Sequence, residues 1–279
     1  MARFSAGVEM AQPAAPRVPA YFDAFLDAVR SGACIDHVHL GHWDRPEAAT
    51  GSPADFEAAQ HRMAERLLTL ADVQPGHHIL DAGCGLGGLA RLVDAKVSPV
   101  SLIGLNIDPR QLAVCHGIRT HSKNRLDWVA ADACHLPFSN AAFDRIFCVE
   151  AIFHFTSRRL FLAEAFRVLR PGGSLVLGDI LLQRPGTDGA LPVAAIEDTL
   201  ETELGPWPDK WFSLAELRSC SLDCGFAIET EIDATANTLP SYLTIAPASS
   251  TRLTGPAVMR MLHERGDLTY IYLRLAKPA

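Results

Sequence analysis

The stretch Ile79-Leu80-Asp81-Ala82-Gly83-Cys84-Gly85-Leu86-Gly87-Gly88 decides how this chain folds. Its apolar start reads as a short buried strand, and the helical pattern LARLVDAK follows the glycines directly. Glycines at such a junction let the backbone turn tightly and approach a ligand, where a helix N-terminus offers free N–H groups. Gly83, Gly85 and Gly88 also fit the G-x-G-x-x-G spacing. That spacing keeps a dinucleotide-binding oxidoreductase open as a reading, beside a strand–helix turn that holds nothing.

Outward from this loop, apolar runs at 79–82, 100–107, 126–130, 143–149 and 174–180 alternate with helical stretches. In RRLFLAEAFRVL, Leu162, Ala165, Phe166 and Leu169 fall at i, i+3, i+4 and i+7, a stripe suited to lie on a sheet. Parallel neighbours need crossover helices, so the pattern predicts an α/β fold with a doubly wound, mostly parallel sheet. Toward the C-terminus, 213–226 reads as a helix ending at Gly225, and 226–232 and 268–277 read as strands. Those two strands predict an antiparallel edge pair. Residues 21–30 and 55–71 have helical spacing, with Met63, Leu67 and Leu70 on one face. Residues 21–71, with insertions near 183–212 and 238–265, are expected to form a lid over the carboxyl edge of a 72–279 domain, where α/β folds bind ligands. The Pro/Ala-rich residues 1–20 read as a loose tail.

Composition narrows the function. The 279 residues are 48% hydrophobic and 20% charged, which excludes wholesale disorder. Lys plus Arg number 25 against 32 Asp plus Glu, a formal charge of −7. With no basic run, the chain lacks the footprint of a nucleic-acid binder. No apolar run approaches the ~20 residues that cross a bilayer, so no membrane span is expected. The opening residues, with Glu9 and three prolines, do not read as a secretory signal. Seven cysteines without a C-x-x-C pair predict buried reduced thiols and a cytoplasmic location. The histidines 37, 39 and 42 lack a carboxylate or cysteine at a familiar ligand spacing, so no metal site is expected.

Several motifs in order carry a resemblance: ILDAGCGLGG, then GLNIDPRQL at 104–112, ADACHLPFSNAAFD at 131–144, VEAIFHF at 149–155 and FRVLRPGGSLVLGDI at 166–180. Together with HVHLGHWDRPE and IDATANTLPSYL, they resemble the class I S-adenosylmethionine-dependent methyltransferases. The chain is most similar to the small-molecule "type 11" group, which includes antibiotic-sugar O-, sterol and tocopherol C- and sarcosine N-methyltransferases. The resemblance implies a seven-stranded Rossmann-like sheet with an antiparallel last strand, S-adenosylmethionine as cofactor, and a small-molecule acceptor.

Residue roles follow from it. Gly83 and Gly85 would pass under the methionine part of the cofactor, with Asp81 orienting the loop or meeting the amino group. Asn106, where the family often has an acid, would reach the ribose, with Gln111 beside it. Asp132 and the Ala133 N–H would address the adenine. His39, Gly41 and Trp43, with Tyr21 ahead of them, would fold over the cofactor. Trp43 could cover the sulfonium by a cation–π contact or simply pack in the core.

A hydroxyl or amine acceptor must lose a proton, and histidine is suited to take it near neutral pH. The resemblance places that base at His154 and an assisting aspartate at Asp179. Glu150 would fix the methionine end of the cofactor, or act as base if carbon is the target. The insertions contribute Trp207, Trp211, Phe212, Leu239 and Tyr242, an aromatic lining that predicts a hydrophobic, natural-product-like acceptor. A hydroxyl is the first expectation and carbon or nitrogen the alternatives. Readings from other classes are a cofactor-binding protein that transfers no methyl group and an NAD-dependent oxidoreductase.

Overall fold

Alternation along the central strands sends side chains into two separate cores. In β1 (His78–Ala82), Ile79 joins one cluster and Leu80 the other. Phe147 and Ile146 divide in the same way farther along the sheet, as do Val176 and Leu175. Each such side chain contributes about 1.5–3 kcal/mol on burial, and both faces need helices to supply it.

The computed structural model describes residues 18–186, 191–246 and 253–279. After α1 (Tyr21–Arg30) and α2 (Pro53–Ala71) come β1, α3 (Gly88–Lys96), β2 (Ser101–Asn106), α4 (Pro109–Cys115), β3 (Arg125–Ala130) and β4 (Phe143–Val149). Then follow α5 (Arg158–Val168), β5 (Leu169–Leu182), α6 (Val193–Glu203), α7 (Leu214–Asp223) and β6 (Ala227–Asp233). Short α8 (Thr235–Thr238) and α9 (Ser241–Ile245), then α10 (Gly255–Arg265) and β7 (Leu268–Ala276), complete the chain. Among the described residues the sheet has seven strands in the order β3-β2-β1-β4-β5-β7-β6. The first five are parallel, and β7 runs antiparallel between β5 and β6. The doubly wound α/β fold and its antiparallel edge pair are therefore present. The strand order reverses from β1, so the carboxyl ends of β1, β2 and β4 open onto one crevice.

Local chemistry starts the helices where they are needed. Ser52 accepts a hydrogen bond from the Asp55 N–H ahead of α2, with Pro53 at the first helical position. Ser157 caps α5 in the same way, and Ser213 with Glu216 forms a capping box on α7. By contrast α1 begins at Ala20 with no side-chain cap.

Three expectations need correction. Helix α2 buries Met63, Leu67 and Ala71 and packs on β5 and β7, so it is part of the helical layer on the sheet, reaching the cavity through Ala64 and Leu67, rather than a separate lid. Cys34 is exposed, whereas Cys84, Cys115, Cys134 and Cys148 are buried. Strand β5 begins at Leu169, where Leu169 pairs with Phe143 before a register shift, and not at residue 174. Residues 1–17 of the expected tail lie outside the described residues, as do 187–190 and 247–252 of the insertions. Among the described residues, no helix is long and apolar enough to cross a membrane.

Candidate active site

Four consecutive sequence motifs converge because parallel strands end at the same edge. A cavity of about 470 Å³ lies there. Asp81 and the glycine loop border it from β1, Asn106 from β2, Asp132 from beyond β3, and Glu150 and His154 from beyond β4. Tyr21 and Phe22 of α1 and the segment from Asp36 to His39 close it from above.

The glycine loop is built for close approach. Gly83, Gly85 and Gly87 have φ of 84°, 52° and 82°, left-handed values that favour glycine. A Cβ at Gly83 would stand 2.4 Å from the Ala151 Cβ, so a side chain there is excluded. Next to the loop, Asp81 is buried and its Oδ2 has no hydrogen-bond partner among the described residues. Burial pushes its carboxyl up to about 7. Asn106 Nδ2 donates to Gln111 Oε1 at 2.7 Å, and both amides are buried. The Gln111 Nε2 has no partner among the described residues. Asp132 is held as a turn residue, its Oδ1 accepting from the Cys134 N–H at 2.8 Å. Ala133 is buried at the cavity wall.

The other half of the cavity is self-contained. Glu150 sits at φ 46°, an uncommon conformation for a non-glycine residue. Its N–H donates to the Gly178 carbonyl at 2.7 Å, and its Oε1 accepts from the Leu40 N–H and the Tyr270 hydroxyl, both at 2.8 Å. Burial pushes the Glu150 carboxyl up to about 7. His154 has both ring nitrogens engaged: Nδ1 lies 2.9 Å from the Pro206 carbonyl and Nε2 2.9 Å from the Tyr21 hydroxyl. A carbonyl only accepts, so Nδ1 carries the hydrogen. Burial holds the imidazole down to about 4, hence neutral near pH 7, and the Tyr21 hydroxyl donates to its Nε2 lone pair.

Several expected placements change. Asp179 neither lines the cavity nor meets His154. It is fully buried in an ion pair with Arg158, and the Pro206 carbonyl orients the imidazole instead. The imidazole is accordingly held neutral rather than favoured in its charged form. Trp43 and Gly41 are not among the cavity residues. Trp43 is buried against Phe56 and donates to Asp55 from its ring nitrogen. Gly41 is where a Cβ would come within 2.6 Å of Ala59 on α2. His39 does line the cavity, and its Nδ1 donates to the Leu40 carbonyl. The aromatic cap lies behind the wall: Trp207 stacks on Phe153, Phe212 covers Arg158, and Trp211 donates to Glu197. Tyr242 is buried in the core, and Leu239 packs against it. Pro206 and Pro208 are the cap residues that reach the cavity.

Sequence reading missed Arg158, Tyr270 and the Pro206 carbonyl. Arg158 reads as a solvated helix-start residue, and a backbone carbonyl leaves no sequence signal. Tyr270 lies where β7 is buried on both faces, so alternation along the strand does not single it out.

Comparison with known proteins places this geometry. The family described as "Methyltransferase domain" matches residues 80–177. The chain is 30% identical over 237 residues to the 27-O-demethylrifamycin SV methyltransferase of Amycolatopsis mediterranei, covering 84% of this chain and 82% of that protein. It is 35% identical over 178 residues to an O-methyltransferase of Pyrenophora dematioidea, covering 62% of this chain. The chain spans 64% of that relative's length. Among solved structures, the [4+2]-cyclase SpnF superposes with a TM-score of 0.68 at 22% identity, covering 93% of this chain and 94% of that one.

Proposed function

The chain belongs to the class I S-adenosylmethionine-dependent methyltransferases, and on that premise we propose that it methylates a hydroxyl of an apolar, natural-product-like small molecule with His154 as general base. The observation that carries the reading is the state of His154. Its tautomer is fixed by Pro206, and its Nε2 lone pair accepts the Tyr21 hydroxyl hydrogen at 2.9 Å inside the cavity. An acceptor hydroxyl in the place of Tyr21's would meet the same nitrogen.

The residues present fit the cofactor. When bound, S-adenosylmethionine supplies an electrophilic methyl group on a sulfonium sulfur. Gly83 and Gly85 would let the backbone reach it. Asp81, with an unpaired buried oxygen, would take its amino group, and Asn106 with Gln111 would hold the ribose hydroxyls. Asp132 and Ala133 would border the adenine.

His154 then takes the acceptor's proton at Nε2, and the cation that forms on the imidazole is held by the Pro206 carbonyl. Tyr21 and Phe22 exclude water above it. Glu150 is the second candidate base: its Oε1 is held by the Leu40 N–H and the Tyr270 hydroxyl of the core, whereas His154 Nε2 meets only the Tyr21 hydroxyl, which an acceptor hydroxyl can replace. The relative named for O-methylation at a rifamycin position supports oxygen over carbon. SpnF, whose name is that of a cyclase, illustrates that the fold alone does not set the reaction.

The test is mass-spectrometric detection of a methylated product from a panel of hydroxyl, amine and carbon acceptors. His154→Ala should lower kcat by ~10²–10⁴-fold while S-adenosylhomocysteine still binds. Preserved kcat with only a raised KM would remove His154 from the chemistry. Product methylated on carbon, abolished by Glu150→Gln, would transfer the role to Glu150.

A further inference from the structure

Behind the cavity wall lies a charged pair that the proposed reaction does not use. Arg158 and Asp179 are 1% and 0% exposed, and Nη1 of Arg158 donates to Oδ2 of Asp179. The guanidinium is covered by the Phe212 ring, 4.9 Å from its centroid, and its Nη2 lies 3.4 Å from the Ile180 carbonyl. The second carboxylate oxygen accepts from the Ile180 N–H at 2.8 Å. Such a pair is a poor source of stability, because desolvating two charges offsets most of their attraction. It is an effective source of a fixed local field, because little water screens it.

Its placement gives the field a direction. Arg158 is the first residue of α5, four residues after His154, which closes the short turn 152–154 beyond β4. Asp179 follows Gly178, whose carbonyl receives the Glu150 N–H across the β4–β5 pairing. We propose that Arg158 and Asp179 are positioning residues that set the charge states of His154 and Glu150, the cationic end acting on the imidazole and the anionic end on the carboxyl. This rests on the reading of His154 as base and deepens it: the aspartate on β5 acts through an arginine rather than by touching the histidine.

The surroundings leave few other charges to act. Around His154 stand the Tyr21 hydroxyl, the Pro206 carbonyl, Phe22, Phe153 and Trp207, and the charge that reaches it is that of Arg158. Burial is the larger cause of its lowered basicity and Arg158 adds to it. Around Glu150 stand the Leu40 N–H, the Tyr270 hydroxyl and Asp179. There too burial dominates, and Asp179 pushes in the same upward direction.

The experiment is an NMR titration of ¹³C-labelled histidine, with the His154 signal identified by its loss in His154→Gln. In the native chain His154 should remain the neutral Nδ1–H tautomer through pH 5. An imidazole titrating near 6.5 would overturn the proposal without any variant. The double variant Arg158→Met with Asp179→Asn removes both charges at similar volume. It should raise the His154 titration by about one pH unit and move the acid limb of kcat/KM with it. Arg158→Lys should restore the native profile even if turnover is lower. A folded double variant that titrates like the native chain would leave the pair a purely structural contact. If the double variant does not melt cooperatively, Arg158→Gln is read in its place with the same expected direction. Should His154→Ala keep full activity, the base assignment fails, but the titration shift remains a separate result.

Discussion

The two halves of the cavity are finished to different degrees. Along the glycine loop, buried polar atoms of Asp81 and Gln111 have no partner among the described residues. Under α1 the polar groups satisfy one another: His154 is bonded at both nitrogens and Glu150 Oε1 receives two donors. An unsatisfied buried group costs about 1–3 kcal/mol, a cost that a polar ligand can relieve. A ligand on the α1 side finds no such relief and must replace existing bonds one for one. The helix that supplies the Tyr21 hydroxyl to His154 is lightly held, with no side-chain cap and an exposed Asp23–Arg110 ion pair that solvent screens. One half is thus shaped in advance for its ligand, and the other is exchangeable.

Asp81→Ala would break this contrast most severely. S-adenosylhomocysteine affinity should fall about 10- to 100-fold by calorimetry, as for loss of one charged hydrogen bond. The ligand-free variant should melt no lower than the native chain, because an unpaired buried oxygen has been removed. Unchanged affinity would mean that this oxygen does not serve the ligand.

Tyr21→Phe sharpens the other side. Removing the hydroxyl frees His154 Nε2, so the acceptor KM should fall about 2- to 10-fold, the equivalent of one neutral hydrogen bond, with kcat nearly unchanged. A loss of kcat of about tenfold or more would make Tyr21 part of the proton path instead.

The smallest effect is the response of stability to pH. His37 is held down to about 3, and His39, His42 and His154 to about 4, mainly by burial. The unfolded chain protonates them near 6.5, so their contribution is lost as pH falls from about 6.5 toward 4. Asp81 and Glu150, pushed up to about 7, act in the opposite sense because the folded chain takes up their protons first. His77 and His263 are lowered as well and Asp179 is raised, so the histidines still outnumber the carboxyls and the melting temperature should decline between pH 7 and 5. A rise over that range in thermal scans would overturn the balance.

How far the sequence foretold this differs between the same two halves. Apolar runs, crossover helices and glycines at a strand end state local rules, so the fold was legible, and the family resemblance singled out Asp81, Asn106, Asp132, Glu150 and His154, which the strand ends bring to one edge. Trp43 and Gly41 were misplaced because an apolar or small residue in a loop reads the same whether it faces a ligand or a helix. Asp179 was misassigned because its partner, Arg158, belongs to a helix start that sequence alone reads as solvated. Long-range pairing of two buried charges leaves no spacing to detect.

Cys34 has a practical consequence. It follows α1 by four residues and stands exposed, while Cys84, Cys115, Cys134 and Cys148 are shielded. A maleimide dye should therefore attach there first, outside the cavity, and become a fluorescent reporter of α1. Stopped-flow mixing with cofactor alone, acceptor alone and both would then show whether α1 leaves His154 and would separate any such motion from the chemical step.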